Sequence, residues 1–223
     1  MKNGGTVQAL VGLTLAWGGT VLLLSPANRL LGPPDRLATK LLGQLVLWIL
    51  LGMVAAIVVF WEKQPLASIG LRPFHWSSLA WGLALAAAMI YVVMPSLAWA
   101  LRVADVEGFE PGMAKVLVLP LWLRIVSVVT AAVVEDALFV GYAFTRLTRL
   151  TGSSWLAGAI AVVVFSFLHF PHWGIGPALS YFVAIGMGMG FFAWRRDLAA
   201  NILAHMIVDG MGFVVMPVLL GAR

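Results

Sequence analysis

Long apolar segments follow one another along the chain, separated by short polar stretches. Each is close to the about 20 residues that a helix needs to cross a bilayer. The pattern predicts seven of them: Val7–Leu24, Leu42–Trp61, Ser78–Leu101, Val116–Leu150, Ser154–Phe170, Ala178–Trp194 and Leu198–Leu220. The fourth is too long for one simple crossing, so we expect it to tilt, to protrude, or to begin with a short helix that ends at Pro120. An all-α, polytopic membrane helix bundle of about seven to eight transmembrane helices is predicted.

Composition supports a membrane environment for the whole chain. Hydrophobic residues make up 62% of it, charged residues only 10%, and the mean hydropathy is +1.00. A soluble domain carries about a quarter charged residues. We therefore expect one integral membrane domain over residues 1–223, in a bacterial-type inner or plasma membrane. The apolar core of the N-terminal segment is longer than the about 7–15 residues of a signal peptide, which favours a retained first span.

Charge and cysteine content exclude several classes of function. The chain has no cysteine, which excludes disulfides, thiolate zinc sites and a cysteine nucleophile. The formal net charge of +5 lies mostly in short loops. It is typical of contact with a lipid bilayer and forms no basic run long enough to bind nucleic acid. The sequence does not indicate an oligomeric state.

Two acids stand side by side in the apolar run AAVVEDALFVGYAF of the fourth segment. They are Glu135 and Asp136. A charged acid at the bilayer centre costs about 2.5–3.5 kcal/mol on insertion scales, so such residues indicate function by default. The alternative is a pair of neutral acids hydrogen-bonded to neighbouring helices, and further polar residues at membrane depth weigh against it.

Those polar residues lie in the fifth and seventh segments. His169 ends the fifth, one turn after Phe165. In the seventh, the stretch NILAHMIVDG spaces polar residues at i, i+4 and i+8, which places them on one helix face. They are Asn201, His205 and Asp209.

Helix geometry predicts that these groups meet. Glu135 and His169 are equally far in sequence from Gly152 in the turn TGSS, so each lies about 25 Å from that turn in an antiparallel hairpin. His205 lies about 14 Å inward from the same side, and Asp209 lies one turn deeper. We expect one cluster of these four residues. The spacing Gly186-xxx-Gly190 in the sixth segment is typical of close helix packing.

A carboxylate beside two imidazoles, shielded from bulk water, suits the activation of a water molecule. Glu135 can act as general base. The histidines can bind a divalent metal or donate to an oxyanion. The motif HExxH of soluble zinc proteases is absent from the sequence. His172 competes as a partner of His169, but we expect it in an interfacial loop after Pro171.

Three motifs together resemble the CPBP family of intramembrane metalloproteases, which includes the CAAX prenyl endopeptidases. EDALFVGY at 135–142 is similar to the family's EExxFRG, FSFLH at 165–169 to its FxxxH, and HMIVD at 205–209 to its HxxxN/D. The resemblance covers mainly residues 117–220, which we interpret as the catalytic core. All three motifs, in this order and in a polytopic helical protein, are specific as a set.

The resemblance implies roles for the clustered residues. Glu135 is expected to be the base that activates water, with His169 beside it. His205 and Asp209 are expected to be metal ligands or oxyanion stabilisers. We expect a divalent metal, zinc, with His169, His205 and Asp209 as its ligands. The supporting residues are Asp136, Phe165 and Asn201.

The implied function is an intramembrane endopeptidase that cuts membrane-anchored proteins or peptides, including prenylated or C-terminally tagged ones. One departure from the family pattern leaves alternatives open. Val140 stands where the family has arginine, and Arg146 is expected to be interfacial, so Asp136 has no predicted partner. The alternatives are a non-catalytic binding or immunity protein on the same scaffold and a proton-linked transporter, since buried acids and histidines also form proton relays.

Overall fold

The computed structural model describes residues 3–19 and 36–221, and these residues form helices and no strand. We number the helices α1 to α8. In chain order they are α1 (Asn3–Leu13, continued by Thr14–Gly18), α2 (Leu37–Trp61), α3 (Trp76–Val103), α4 (Glu110–Leu117), α5 (residues 121–151), α6 (Ser154–Trp173), α7 (Ile175–Arg195) and α8 (Leu198–Leu219).

The prediction of an all-α membrane protein is confirmed in its broad form. Within residues 3–19 and 36–221, five helices (α2, α3, α6, α7 and α8) are long and apolar enough to cross a membrane. Their outer faces expose large apolar side chains such as Phe60 and Trp155, as lipid-facing surfaces do. The chain is therefore a multi-pass integral membrane protein. The count of seven to eight crossings is not confirmed, and residues 20–24 of the first predicted segment lie outside the described residues.

The fourth apolar segment is broken at Pro120: its first two residues end α4, and the rest, from Leu121, lies in α5. Helix α4 ends at Leu117, and Pro120 then precedes Leu121 in extended backbone. Proline has no N–H to donate and is favoured where a helix begins, so the break is explained locally. Helix α5 lies at the centre of the bundle.

The middle of α5 is a π-helix. Ala131–Ala143 is wound in this wider form, in which each N–H bonds five residues back instead of four, and ten of its thirteen residues are buried. π-helical segments are rare and occur frequently at functional sites. This one contains both Glu135 and Asp136, so the two acids lie on the buried central helix of the bundle.

The loop that follows α2 packs against the second half of α5 at Gly141. Residues Leu66–Ile69 form a short 3₁₀ turn that ends at Gly70, whose φ of 85° favours glycine. The carbonyl oxygen of Ile69 lies so close to Gly141 that a Cβ there would approach it to 2.8 Å. Glycine at 141 is therefore required for the loop to pack against α5.

Helix α7 packs on α8 through a different glycine from the expected pair. Gly186 and Gly190 have no neighbour where a Cβ would be, within the part of the chain that the structure describes. Gly188 instead accepts a hydrogen bond through its carbonyl oxygen from Asn201 Nδ2 at 3.1 Å. The predicted packing role of Gly186-xxx-Gly190 is wrong: that spacing permits a close approach, but the side of α7 that faces α8 carries Gly188.

Candidate active site

The two adjacent acids face two different histidines. Glu135 Oε2 lies 3.7 Å from His169 Nε2 on α6, and Asp136 Oδ1 lies 3.2 Å from His205 Nδ1 on α8. In an α-helix adjacent side chains diverge by about 100°. The π-helix has more residues per turn, so its neighbours diverge less and both acids can point into the bundle. Asp136 therefore does have a partner, which the sequence analysis did not find.

His169 is oriented by the backbone of its own helix. Its Nδ1 lies 2.8 Å from the carbonyl oxygen of Phe165, and its ring stacks on the Phe165 ring with centroids 4.1 Å apart. A carbonyl only accepts, so Nδ1 carries the hydrogen and Nε2 of the neutral ring has a free lone pair. Phe165 thus contacts His169 through both its carbonyl oxygen and its ring.

The gap between His169 and Glu135 suits a water molecule. At 3.7 Å the two atoms are too far apart for a direct hydrogen bond. A carboxylate oxygen and the free Nε2 are both acceptors, and a water has two hydrogens to donate, one to each. The pair can therefore hold a water whose oxygen lone pairs point away from both residues.

His205 lies between two carboxylates. Its Nδ1 faces Asp136, and its Nε2 lies 3.4 Å from Asp209 Oδ2, one turn along the same helix. A neutral imidazole donates through only one nitrogen, so the ring satisfies both acids only as the imidazolium or when one acid carries a proton. Asn201 lies one turn earlier and is held by its bond to Gly188.

Two cavities meet at this cluster. The glutamate cavity, about 160 Å³, is lined by Glu135, His169 and Arg124. The apolar cavity, about 120 Å³, is lined by Asp136, Asn201 and mainly apolar side chains. Both share one set of wall residues: Phe165, Tyr181, His205 and Asp209. The four predicted catalytic residues therefore lie together at the junction of two cavities.

The expected metal ligands do not form a closed ligand set. Residues 3–19 and 36–221 contain no group of three or more His, Asp or Glu side chains placed to hold one ion. His205 also turns both ring nitrogens to carboxylates. The set of His169, His205 and Asp209 does not fit an ion in this arrangement. Zinc stays a prediction, and the mechanism below uses no metal.

Three neighbours of the site bear on the sequence predictions. Arg146, expected at the interface, is fully buried within the protein and bonds to Glu62 at 2.9 and 3.1 Å through its Nε. Val140, in the place of the motif arginine, is buried in the apolar core. His172 is not in a loop, because α6 continues through Pro171 to Trp173.

Two site residues were missed. Tyr181 packs edge-on against the His169 ring at 4.9 Å and lines both cavities. An aromatic residue in an apolar segment gives no sequence signal of such a role. Arg124 lines the glutamate cavity, and the rule that charges at membrane depth indicate function would have identified it.

Comparison with known protein families gives a match to the second half of the chain. Residues 117–211 match the model of a family described as type II CAAX prenyl endopeptidase, Rce1-like. No curated protein and no solved structure matches the chain. The matched region is less than half of the chain, but it begins just before α5 and includes Glu135, His169, His205 and Asp209. The resemblance carried by the three motifs is confirmed: residues 117–211 are similar to the Rce1-like family of type II CAAX prenyl endopeptidases.

Proposed function

We propose that the protein is an intramembrane endopeptidase that hydrolyses peptide bonds of membrane-anchored proteins, including prenylated or C-terminally tagged ones. The observation that carries the proposal is the arrangement of Glu135 and His169, two acceptors 3.7 Å apart with the histidine tautomer set by Phe165. Such a pair orients a water for attack and offers a base to take its proton. The family match supports a protease on this scaffold.

The proposed reaction uses Glu135 twice. As the water oxygen bonds to the substrate's carbonyl carbon, Glu135 takes one of its protons and the carbonyl becomes an oxyanion. The carbon–nitrogen bond then breaks, and Glu135 returns the proton to the leaving nitrogen. The products are a new carboxyl terminus and a new amine, so atoms and charges balance. His169 holds the water in place during the attack.

His205 is proposed to stabilise the oxyanion. Asp136 bonds to Nδ1 and so directs the ring. In the imidazolium form Nε2 also carries a hydrogen. Asp209 is 3.4 Å from Nε2, which is long for a hydrogen bond, so this N–H stays available to donate to an oxyanion formed at the junction of the cavities. The role of Asp136 is analogous to that of the acid that orients the catalytic histidine in a serine protease triad.

The substrate class follows from the walls of the apolar cavity. It is bounded by Leu85, Met89 and Met94 from α3, a membrane-crossing helix, together with α7 and α8. A cavity of this kind accepts an apolar side chain or a lipid anchor, and methionine walls adapt to varied shapes. We propose that the membrane-embedded part of the substrate enters here and places its peptide bond beside His205.

The test is cleavage of a lipid-anchored fluorogenic peptide by the purified protein in proteoliposomes. Glu135→Gln keeps the shape of the side chain and removes the base, so kcat/KM should fall about 100- to 10,000-fold. Glu110→Gln, an exposed acid at the start of α4, is the matched control and should cleave normally. Turnover by Glu135→Gln at the rate of the control would refute the proposal.

A non-catalytic binding or immunity protein on the same scaffold is the second candidate, favoured by the buried Val140 in the place of the motif arginine. It predicts that the wild-type protein cleaves no anchored peptide. It also predicts that the Glu135→Gln protein keeps any cellular phenotype, because a folded bundle would be sufficient.

A further inference from the structure

A buried cation, Arg124, lines the glutamate cavity and forms no ion pair with another described residue. Arg124 lies in the first turns of α5 and is 2% exposed. Its Nη1 donates to the carbonyl oxygen of Phe213 at 3.3 Å, while its Nε has no hydrogen-bond partner among the described residues. The ion pairs of the described chain involve Arg146, His169 and His205, and none includes Arg124.

An unpaired guanidinium in this position is costly for the fold. A buried charge is ordinarily paired or fully hydrogen-bonded, because removal from water costs several kcal/mol for each ion. Arginine stays charged at any physiological pH, so loss of a proton cannot relieve the cost. Arg124 has five N–H donors in a planar fork, and this fork matches the two oxygens of a carboxylate. The cavity is therefore suited to an anionic ligand.

The position of Arg124 along α5 relates that ligand to the base. Arg124, Val128, Ala131 and Glu135 all line the glutamate cavity, so they share one face of the helix. Eleven residues of helix separate Arg124 from Glu135, which is roughly 16 Å along the axis. An extended peptide spans about 3.3–3.6 Å per residue, so four or five residues cover this distance.

We propose that Arg124 is a specificity-determining residue that binds the free C-terminal carboxylate of the substrate. This inference rests on the proposed function. The apolar cavity holds the anchored part, the scissile bond lies at Glu135, and the segment to be released extends along α5 to Arg124. The enzyme then selects bonds within about five residues of a chain end, because only there can one peptide reach both groups.

Peptide binding to a variant that lacks the proposed base tests this role of Arg124 without cleavage of the peptide. In the Glu135→Gln background, the Kd of a lipid-anchored peptide with a free C-terminal carboxylate is compared with that of the same peptide as a C-terminal amide. The carboxylate form should bind at least about tenfold more tightly, as a charge-assisted hydrogen-bond pair requires. Adding Arg124→Gln should remove this preference and leave the affinity for the amide unchanged. Arg124→Lys should restore part of it, because the charge returns without the fork.

Arg149→Gln is the matched control, since Arg149 is exposed at the far end of the same helix. It should keep the full preference for the carboxylate. Equal affinity for the two peptides, or equal weakening of both by Arg124→Gln, would overturn the inference. A carboxylate preference that depends on Arg124, in a protein that cleaves neither peptide with Glu135 intact, would uphold this role and refute the proposed protease activity.

Discussion

Each end of α5 carries a buried arginine, and the two differ in how many hydrogen bonds their guanidinium groups make. Arg146 bonds through Nε to both carboxylate oxygens of Glu62, through Nη2 to Ser68 Oγ at 3.1 Å, and through Nη1 to Thr145 Oγ1 at 3.1 Å. Its guanidinium also lies 5.0 Å from the centroid of the Tyr142 ring. Arg124 has one long bond to a backbone carbonyl. Every guanidinium nitrogen of Arg146 therefore has a hydrogen-bond partner, whereas Nε of Arg124 has none among the described residues.

This difference indicates that Arg146 stabilises the fold and that Arg124 serves the candidate site. The Arg146 network joins α2, the loop at Leu66–Ile69 and α5, and it contributes no residue to either cavity at the candidate site. Arg124 does line a cavity, beside the proposed base. Unsatisfied buried polar groups are rare in native proteins and require an explanation. Proteins tolerate such unsatisfied groups mainly at functional sites. The missing hydrogen bonds of Arg124 therefore indicate that its end of α5 has a functional role.

The largest effect is expected from Arg146→Met. The substitution leaves the Glu62 carboxylate buried without its cation, and breaking a buried pair in this way costs about 3–5 kcal/mol. The protein should melt at a markedly lower temperature in detergent micelles, or fail to accumulate in the membrane. Thermal unfolding followed by tryptophan fluorescence measures the first outcome, and quantitative immunoblotting of membranes measures the second.

The double substitution Glu62→Met with Arg146→Met is the control for charge. Both partners are then apolar and of similar length, and replacements of this kind are often close to neutral. Most of the lost stability should return. If the double variant is as unstable as Arg146→Met alone, the ion pair is not the source of the effect, and the contrast with Arg124 loses its basis.

A smaller effect is expected from Tyr142→Phe. The hydroxyl donates to Glu62 Oε1 at 3.0 Å, so the substitution removes one bond to the carboxylate and leaves those from Arg146. A hydrogen bond to a charged group contributes about 1.5–3 kcal/mol, and the lower end applies because Glu62 keeps its cation. Tyr91→Phe, at an exposed site on α3, should change the melting temperature little. Equal shifts for the two variants would contradict the network assigned to Tyr142.

Much of the fold was predictable because apolar length and turn residues determine where helices lie. The segment Leu42–Trp61, for example, lies inside α2, and the break at Pro120 was among the predicted alternatives. The π-helix could not be predicted, since apolar residues fill both helix types equally well. The count of seven to eight membrane crossings stays a prediction, because five helices of the described residues have the length and composition of a membrane span.

The site was predictable where it depended on length along helices. Equal distances from Gly152 place Glu135 and His169 at one level, and the structure brings them within 3.7 Å. Direction around a helix was less predictable. The contact of Asp136 with His205 depends on the π-helical winding of α5, which the sequence does not show. The burial of Arg146 depends on Glu62, just beyond the end of α2, whose position beside α5 is not visible in the sequence.

The smallest effect on stability is expected from Arg124→Met, the same substitution at the opposite end of α5. No carboxylate of the described residues loses a partner, and an unpaired buried cation is replaced by an apolar side chain. The free energy of unfolding should therefore change by less than about 1 kcal/mol, or increase. The melting temperature measured beside that of Arg146→Met gives the comparison directly.

The sign of the change in the free energy of unfolding caused by Arg124→Met decides whether Arg124 serves stability or function. A residue kept for stability should cost stability when it is removed, as Arg146 should. If Arg124→Met is neutral or stabilising and also loses the preference for a carboxylate-terminated peptide, the cation is retained at the expense of the fold, as at functional sites that are strained or unsatisfied. A loss of 3 kcal/mol or more would instead show that Arg124 is satisfied in the folded protein, and the two ends of α5 would then be alike.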